Sequence, residues 1–284
     1  MKDVLIILSC VPLYLLNAFC DKCVSAKGRS GLLYNTLKFL NGALCFLPLM
    51  IWEGAPPFAA GAICCGAACG LMYAVGKTAI LRGFAETSVA FMVLCHAAGM
   101  LIPCICGYCF WNERLTLLSL AGILLTVLSI YLIKSAGGNG AGVSARGILL
   151  GAAVFLGSGG VMICQKLMGV FFPAESVSAY NFYSFLLPAI LLGGLSALRE
   201  RKGVCGIRPL LPFALGSALS LCVISFVMTK LAARVPSVLL FPLFNGLGIL
   251  LVCLGSVALF KEKMTVKKTV GVCIGIVGMW LVNF

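Results

Sequence analysis

Charged residues are scarce in this chain of 284 residues: they make up 10% of it, whereas hydrophobic residues make up 62% and the mean hydropathy is +1.12. A soluble domain carries roughly 25% charged residues, so this chain cannot cover a surface that faces water. The shortage argues against a soluble enzyme, a nucleic-acid-binding domain and a secreted disulfide scaffold. It indicates an integral membrane protein that contacts the lipid bilayer and no nucleic acid.

Acidic residues are especially rare, with eight against 21 Lys and Arg. We expect all eight near helix ends or in loops, where Glu113 and Glu262 stabilise the N-terminus of the helix that follows each of them. A proton-coupled exporter of cationic drugs needs a carboxylate at the membrane centre. For a membrane protein that carries a solute, this distribution therefore favours a neutral or anionic solute. The eight residues are Asp3, Asp21, Glu53, Glu86, Glu113, Glu175, Glu200 and Glu262.

Metal-ligand patterns are weak. Two of the pairs among the 16 cysteines, Cys20 with Cys23 and Cys106 with Cys109, have the spacing of a metal or redox pair. Both pairs lie in apolar helical sequence, which favours the alternative that they act as small buried hydrophobic residues. No metal, cofactor or catalytic residue is predicted, and we do not expect an enzyme.

Long apolar runs dominate what is present. A spanning helix needs about 20 apolar residues, and short breaks with Gly, Pro or charge separate ten candidates. The predicted fold is an all-α integral membrane protein with ten transmembrane helices. The spans are 4–22, 32–52, 58–80, 87–110, 115–133, 147–170, 177–197, 209–230, 235–259 and 266–283.

The two halves of the chain repeat each other. The blocks Trp111–Thr116 and Phe260–Thr265 each carry Glu, a basic residue and Thr in the same order, at an offset of 149 residues. Five spans in each half is an odd number, so the second half lies upside down relative to the first, as in secondary transporters. We predict two inverted five-helix repeats, 1–138 and 139–284, in one transport domain. Further matches are Gly122 with Gly271 at 149, Tyr34, Asn35 and Phe39 with Tyr180, Asn181 and Phe185 at 146, and Cys20 and Lys22 with Cys164 and Lys166 at 144.

This layout resembles the drug/metabolite transporter superfamily, and in particular its EamA-like carriers. The block Asp21–Ser25 is similar to the Asn-Lys block on the first helix of the nucleotide-sugar and triose-phosphate branch, and Ala179–Phe182 is similar to a Tyr-Asn motif on its seventh helix. The resemblance implies ten helices, a five-plus-five repeat and a bacterial plasma-membrane carrier. It also implies peripheral fifth and tenth helices, which leaves a monomer or a homodimer through these helices.

Polar residues inside the spans predict a substrate cavity. Tyr34, Asn35 and Lys38 share one helical face, and Tyr180 and Asn181 repeat the pattern with Ser184 in place of Lys38. Aromatic walls with amide donors and acceptors are typical of a small-molecule site. The alternative is that the amides hydrogen-bond neighbouring helices.

Other candidate substrate-binding residues come from the same repeat. His96, the one histidine, aligns with Asn245 at offset 149; it either titrates near neutral pH or shares a hydrogen bond within the bundle. Lys22 and Lys166 either extend to the lipid headgroups, as Lys77 and Lys230 also can, or bind an anionic substrate in the cavity.

The function predicted from these features is transport of a small polar or anionic organic metabolite by alternating access. The alternatives are a multidrug or amino-acid exporter of the same superfamily and a structural or regulatory membrane protein that does not transport.

Two observations predict opposite orientations of the chain in the membrane. Thirteen Lys and Arg residues in the loops on one side, against five on the other, place both termini outside the cytoplasm, whereas the resemblance places them inside.

Overall fold

The computed structural model describes residues 2–26, 31–54, 59–86, 89–113, 116–135, 145–199, 207–260 and 266–282. These residues form eleven α-helices and one 3-10 turn, with no strand among them. The elements are α1 (Lys2–Ala26), α2 (Gly31–Trp52), α3 (Ala60–Glu86), α4 (Val89–Ala98), α5 (Leu101–Phe110), α6 (Leu117–Ser135), α7 (Ala145–Phe171), the 3-10 turn (Ala174–Ser176), α8 (Val177–Arg199), α9 (Leu211–Ala232), α10 (Ser237–Phe260) and α11 (Val266–Val282).

Six of the described helical segments are long and apolar enough to cross a membrane: Asp3–Asp21, Gly31–Trp52, Ala60–Gly83, Ala145–Phe171, Ala174–Arg199 and Leu211–Ala232. Four further helical segments are apolar but shorter: Cys95–Phe110, Leu117–Ser129, Ser237–Gly248 and Thr269–Gly278. Large apolar side chains are widely exposed, with Trp52 at 88% and Leu117 at 86%, while polar residues such as Lys38 and Asn181 are buried. This inverted distribution is suited to lipid.

The predicted span 87–110 is two helices in the structure, because the chain breaks between α4 and α5 at Gly99 and Met100. Pro103 has no amide hydrogen and its ring opposes the carbonyl four residues earlier. That carbonyl, of Gly99, accepts instead from the amide of Ile102 at 3.1 Å. A side chain at Gly99 would also overlap Ser158 and Gly159 of α7.

The described chain divides into two compact units, and each takes segments from both predicted repeats. Unit 1 comprises Met1–Pro12, Ala79–Ile163 and Val235–Phe284. Its α6 and α11 pack through small residues: the Ser129 hydroxyl donates to the Gly271 carbonyl at 2.6 Å, and a Cβ at Gly278 would lie 2.9 Å from the Gly122 carbonyl. The small residues of α11 therefore serve packing within the chain.

Unit 1 also shows where Glu113 acts. The carboxylate accepts from the Ser237 amide at 2.7 Å and so caps α10, whereas the Thr116 hydroxyl caps α6 by accepting from the Ser119 amide at 3.0 Å. The hydrogen bonds thus assign Glu113 to the N-terminus of α10 and Thr116 to the N-terminus of α6, and a charge effect of Glu113 on α6 stays a prediction. Glu262 lies outside the described residues.

Unit 2 comprises Leu13–Thr78 and Cys164–Arg234. Its centre is α2 packed on α8 and α9, with the aromatic rings of Phe39, Tyr73 and Phe185 in mutual contact. Gly66 and Gly70 of α3 lie so close to α8 that a Cβ on either would meet its backbone within about 3.1 Å. The small-xxx-small spacing of these glycines thus fits the close helix approach that it predicts.

Candidate substrate-binding site

The first polar group in unit 2 surrounds Lys38 of α2, and we call Asn17, Asp21, Tyr34 and Lys38 the ionic cluster. The Lys38 ammonium lies 3.1 Å from Asn17 Oδ1 and 3.1 and 3.4 Å from the two carboxylate oxygens of Asp21. The Tyr34 hydroxyl donates to Asp21 Oδ1 at 2.6 Å. A buried ammonium is tolerated when it is paired and hydrogen-bonded, and these contacts satisfy Lys38.

The ionic cluster corrects the expectation drawn from the acidic residues. Asp21 was expected near the end of a predicted span, but α1 continues to Ala26 and the carboxylate is paired with a fully buried lysine. The Lys77 charge of α3 also acts on Asp21. Asp21 therefore belongs to the interior of the bundle and is not a loop charge.

The second polar group includes Gln165, which aligns with Asp21 at offset 144, and we call Gln165, Asn181 and Ser225 the amide cluster. The Ser225 hydroxyl donates to Asn181 Oδ1 at 2.6 Å, and Gln165 Nε2 lies 3.4 Å from the Ser225 hydroxyl. Asn181 Nδ2 donates to the Val177 carbonyl at 2.8 Å. All three side chains are buried.

Two of the predicted binding residues, Asn35 and Tyr180, are among the buried side chains with an unsatisfied donor. Asn35 is 2% exposed and Tyr180 is fully buried. Asn35 Nδ2 and the Tyr180 hydroxyl have no hydrogen-bond partner among the described residues, and the group facing this hydroxyl is the Cys69 thiol, a weak partner. An unmet buried donor costs about 1–3 kcal/mol, so each of these groups is suited to a polar ligand.

The lysines predicted from the repeat have separate outcomes. Lys166 is buried and has an interaction partner, which favours the interior alternative over extension to the headgroups. The side chain of Lys22 lies outside the described residues. The Lys230 ammonium lies 3.3 Å from Glu53 Oε1 and 4.1 Å from the centre of the Phe226 ring, so it joins the ends of α9 and α2.

His96 and Asn245 lie in unit 1, whereas the other predicted binding residues lie in unit 2. Asn245 Nδ2 donates to the Phe241 carbonyl at 2.9 Å and lies 4.0 Å from Met162 Sδ. The His96 carbonyl accepts from the Ser158 hydroxyl at 2.8 Å, and its half-buried side chain has an interaction partner. The role of these two residues in binding stays a prediction.

The cysteine pairs show no metal-like arrangement in the part of the chain that the structure describes. Cys20, Cys23, Cys106 and Cys109 are free thiols. No group of three or more His, Cys, Asp or Glu residues within the described ranges could hold a metal ion.

Four members of these clusters were not among the predicted substrate-binding residues: Asn17, Asp21, Gln165 and Ser225. Two signals point to them. Asn17 and Asp21 are four residues apart on one helical face, and Gln165 aligns with Asp21 at the same offset of 144 that relates Lys22 to Lys166.

The helices, their exposed apolar surfaces and their buried polar clusters define an all-helical integral membrane protein. The sequence model of the EamA-like transporter family matches residues 1–135. Over these residues, slightly less than half of the chain, the match confirms the resemblance seen in the sequence. A match to a family of transporters indicates a role in membrane transport.

Comparison with solved structures supports the fold. A structure described as "Crystal structure of protein" has a TM-score of 0.79 and 14% sequence identity, and the match covers 100% of this chain and 98% of that chain. At this identity the likeness concerns the fold alone. The search of curated proteins gave no match.

Proposed function

We propose that the protein is a secondary transporter that moves a small polar or anionic organic metabolite across a bacterial plasma membrane by alternating access. The observation that carries this proposal is the pair of unsatisfied buried donors, Asn35 Nδ2 and the Tyr180 hydroxyl. Substrate oxygen atoms that accept hydrogen bonds would satisfy them. A protein with only a structural role would gain nothing from keeping these donors unpaired.

The proposal includes ten transmembrane helices in two inverted repeats. Contacts between α6 and α11 support it, because exchanging each residue for its counterpart at offset 149 turns the Ser129–Gly271 contact into the Gly278–Gly122 contact, and both occur. Contacts that exchange in this way are expected of two repeats related by a two-fold axis. The six long helices and four shorter apolar segments together correspond to the ten predicted spans.

Hydrogen bonding supports alternation between two states. Tyr34 is bonded to Asp21 while its counterpart Tyr180 is unsatisfied; Asn181 is bonded to Ser225 while its counterpart Asn35 is unsatisfied. The two repeats thus hold the same motif in different bonding states. When the repeats exchange conformations, the free and bonded positions exchange as well, and substrate binding shifts the population between the states.

Exchange of a proton for a cationic drug is a poorer fit. Such an exporter needs a carboxylate that is free to exchange a proton for the cation, and the charge of Asp21 is already neutralised by Lys38 at 3.1 Å. An amino-acid exporter remains within the proposed class, since an amino acid also presents a carboxylate.

A thermal-shift screen of the purified protein tests the proposal. The panel comprises carboxylates, phosphate esters, amino acids and neutral polyols, because a ligand that binds the native state raises its melting temperature. We expect Asn35→Ala to abolish the shift caused by the active class without lowering the melting temperature of the ligand-free protein.

Asn41→Ala is the matched control, since Asn41 lies on the same helix and is satisfied by the Leu37 carbonyl at 2.7 Å. It should leave the ligand-induced shift unchanged. The cavity assignment fails if Asn35→Ala responds to the ligand as fully as the wild type, and liposomes loaded with the active compound then report whether transport occurs at all.

A further inference from the structure

The ionic cluster is open at one of its two charges. The Asp21 side chain is 28% exposed, whereas the Lys38 side chain is fully buried. A group entering the cluster therefore meets the carboxylate first and reaches the ammonium by replacing it.

Lys77 of α3 adds a second positive charge beside the ionic cluster. Lys77 acts electrostatically on both Asp21 and Lys38, so the three groups together have two positive charges and one negative charge. Binding of a monovalent anion would neutralise the set, and Lys77 would remain as the counter-ion of Asp21 after it is displaced. A doubly charged anion would leave an uncompensated negative charge.

The second repeat holds a neutral version of the same place. Asp21 aligns with Gln165 at offset 144, and Lys38 aligns with Ser184 at offset 146. Both charges are replaced together, and the helices of the second repeat still pack with Ser184 bonded to the Tyr180 carbonyl at 2.8 Å. The fold therefore does not require an ion pair at this position.

An unsatisfied hydroxyl lies beside the cluster. Asn17 Nδ2 lies 3.3 Å from the Ser217 carbonyl, and the Ser217 hydroxyl is buried with no partner among the described residues. This hydroxyl faces the Tyr34 hydroxyl, so it is suited to the second oxygen of a carboxylate that has taken the place of Asp21.

We propose that Lys38 binds the carboxylate of a monovalent organic acid and that Asp21 is the resident counter-ion which the substrate replaces. This inference rests on the proposed transport function and narrows its substrate class. Asp21 competes with the substrate for Lys38 and so sets the affinity for the substrate. A substrate binds when its oxyanion interacts with Lys38 at least as strongly as the Asp21 carboxylate does.

The test measures binding of propionate to the purified full-length protein by thermal shift, with propionamide as the neutral match and methyl phosphate as the other oxyanion. Propionate should raise the melting temperature of the wild type and propionamide should not. Asp21→Asn removes the competitor and should tighten propionate binding roughly tenfold, since a hydrogen bond to a charged group contributes on that order.

Two further variants keep the test decisive if Asp21→Asn does not fold. The double variant Asp21→Gln with Lys38→Ser installs the residues of the second repeat; it should fold and lose the propionate response. Lys77→Gln leaves the ion pair in place and should weaken propionate binding, because Asp21 then loses its second counter-ion.

Three results overturn the inference: no propionate response in the wild type, an unchanged response in the double variant, or unchanged affinity in both Asp21→Asn and Lys77→Gln. A response to methyl phosphate in place of propionate also overturns the carboxylate assignment. In each case the Asn35 screen still reports on the transporter itself, so failure of this inference is distinct from failure of the proposed function.

Discussion

The rings of Phe39 and Phe185 meet edge to face in unit 2, with 5.7 Å between their centroids and an interplanar angle of 65°. The two residues are counterparts in the predicted repeats, at offset 146. If a two-fold axis relates the repeats, counterparts that touch each other lie beside that axis. This contact is therefore where we expect α2 and α8 to pivot during alternation.

Gly42, almost one helical turn beyond Phe39, tests this packing. A methyl group at Gly42 would overlap the Phe185 ring, so Gly42→Ala should lower the stability by about 1–3 kcal/mol through overpacking. Gly194→Ala is the matched control on α8, because a Cβ there meets no atom within 4 Å. It should be neutral or stabilise the helix by up to about 1 kcal/mol. Equal effects of the two variants on the melting temperature would contradict the close contact.

The tyrosine counterparts should respond in opposite ways to loss of the hydroxyl. Tyr34→Phe removes a hydrogen bond of 2.6 Å to a carboxylate and should destabilise the protein by about 1.5–3 kcal/mol. Tyr180→Phe removes an unsatisfied buried hydroxyl and should leave the ligand-free stability equal or higher. Denaturation of the two variants side by side checks this difference, which disappears if Tyr180 is satisfied within the protein.

The capping of α10 by Glu113 gives a prediction in unit 1. Glu113→Ala removes the acceptor of the Ser237 amide and should cost about 0.5–2 kcal/mol, while Glu113→Gln keeps an acceptor oxygen and should cost less. Glu175→Ala, at an exposed residue of the 3-10 turn, is the control and should have little effect. Thermal unfolding of the three variants in parallel measures the order of their losses in stability. A loss for Glu175→Ala equal to that for Glu113→Ala would count against capping by Glu113.

Hydrophobic runs predict helix positions well, since the run 32–52 becomes Gly31–Trp52 and the run 177–197 becomes Val177–Arg199. They do not predict the break at Gly99, because Pro103 is tolerated within many membrane helices and the close approach of α7 decides the outcome. The repeat identified the Tyr34 and Tyr180 positions. It did not show that Asp21 would pair with Lys38, since an ion pair depends on which faces of two helices meet. The hydrogen bond between Glu113 and Ser237 likewise depends on how segments that are distant in sequence pack together.

Orientation is the last prediction, and it follows from the charges. The loops that hold thirteen Lys and Arg residues lie on one side of the ten predicted spans, and five such residues lie on the other. Because translocation disfavours positively charged loops, we expect the basic side to be cytoplasmic and both termini to lie outside the cytoplasm. The predicted inverted repeats are compatible with this orientation, since either orientation allows the two halves to alternate.

Labelling with a membrane-impermeant maleimide on a cysteine-free background tests this orientation at two exposed positions. Trp52, at the end of α2, is 88% exposed, and Arg208, just before α9, is also exposed; the ten-span arrangement puts them on opposite sides. Trp52→Cys should react in intact cells, whereas Arg208→Cys should react only after the membrane is permeabilised. The reverse pattern would place the N-terminus in the cytoplasm and make the charge argument wrong, and reaction of both positions in intact cells would contradict the ten-span arrangement itself.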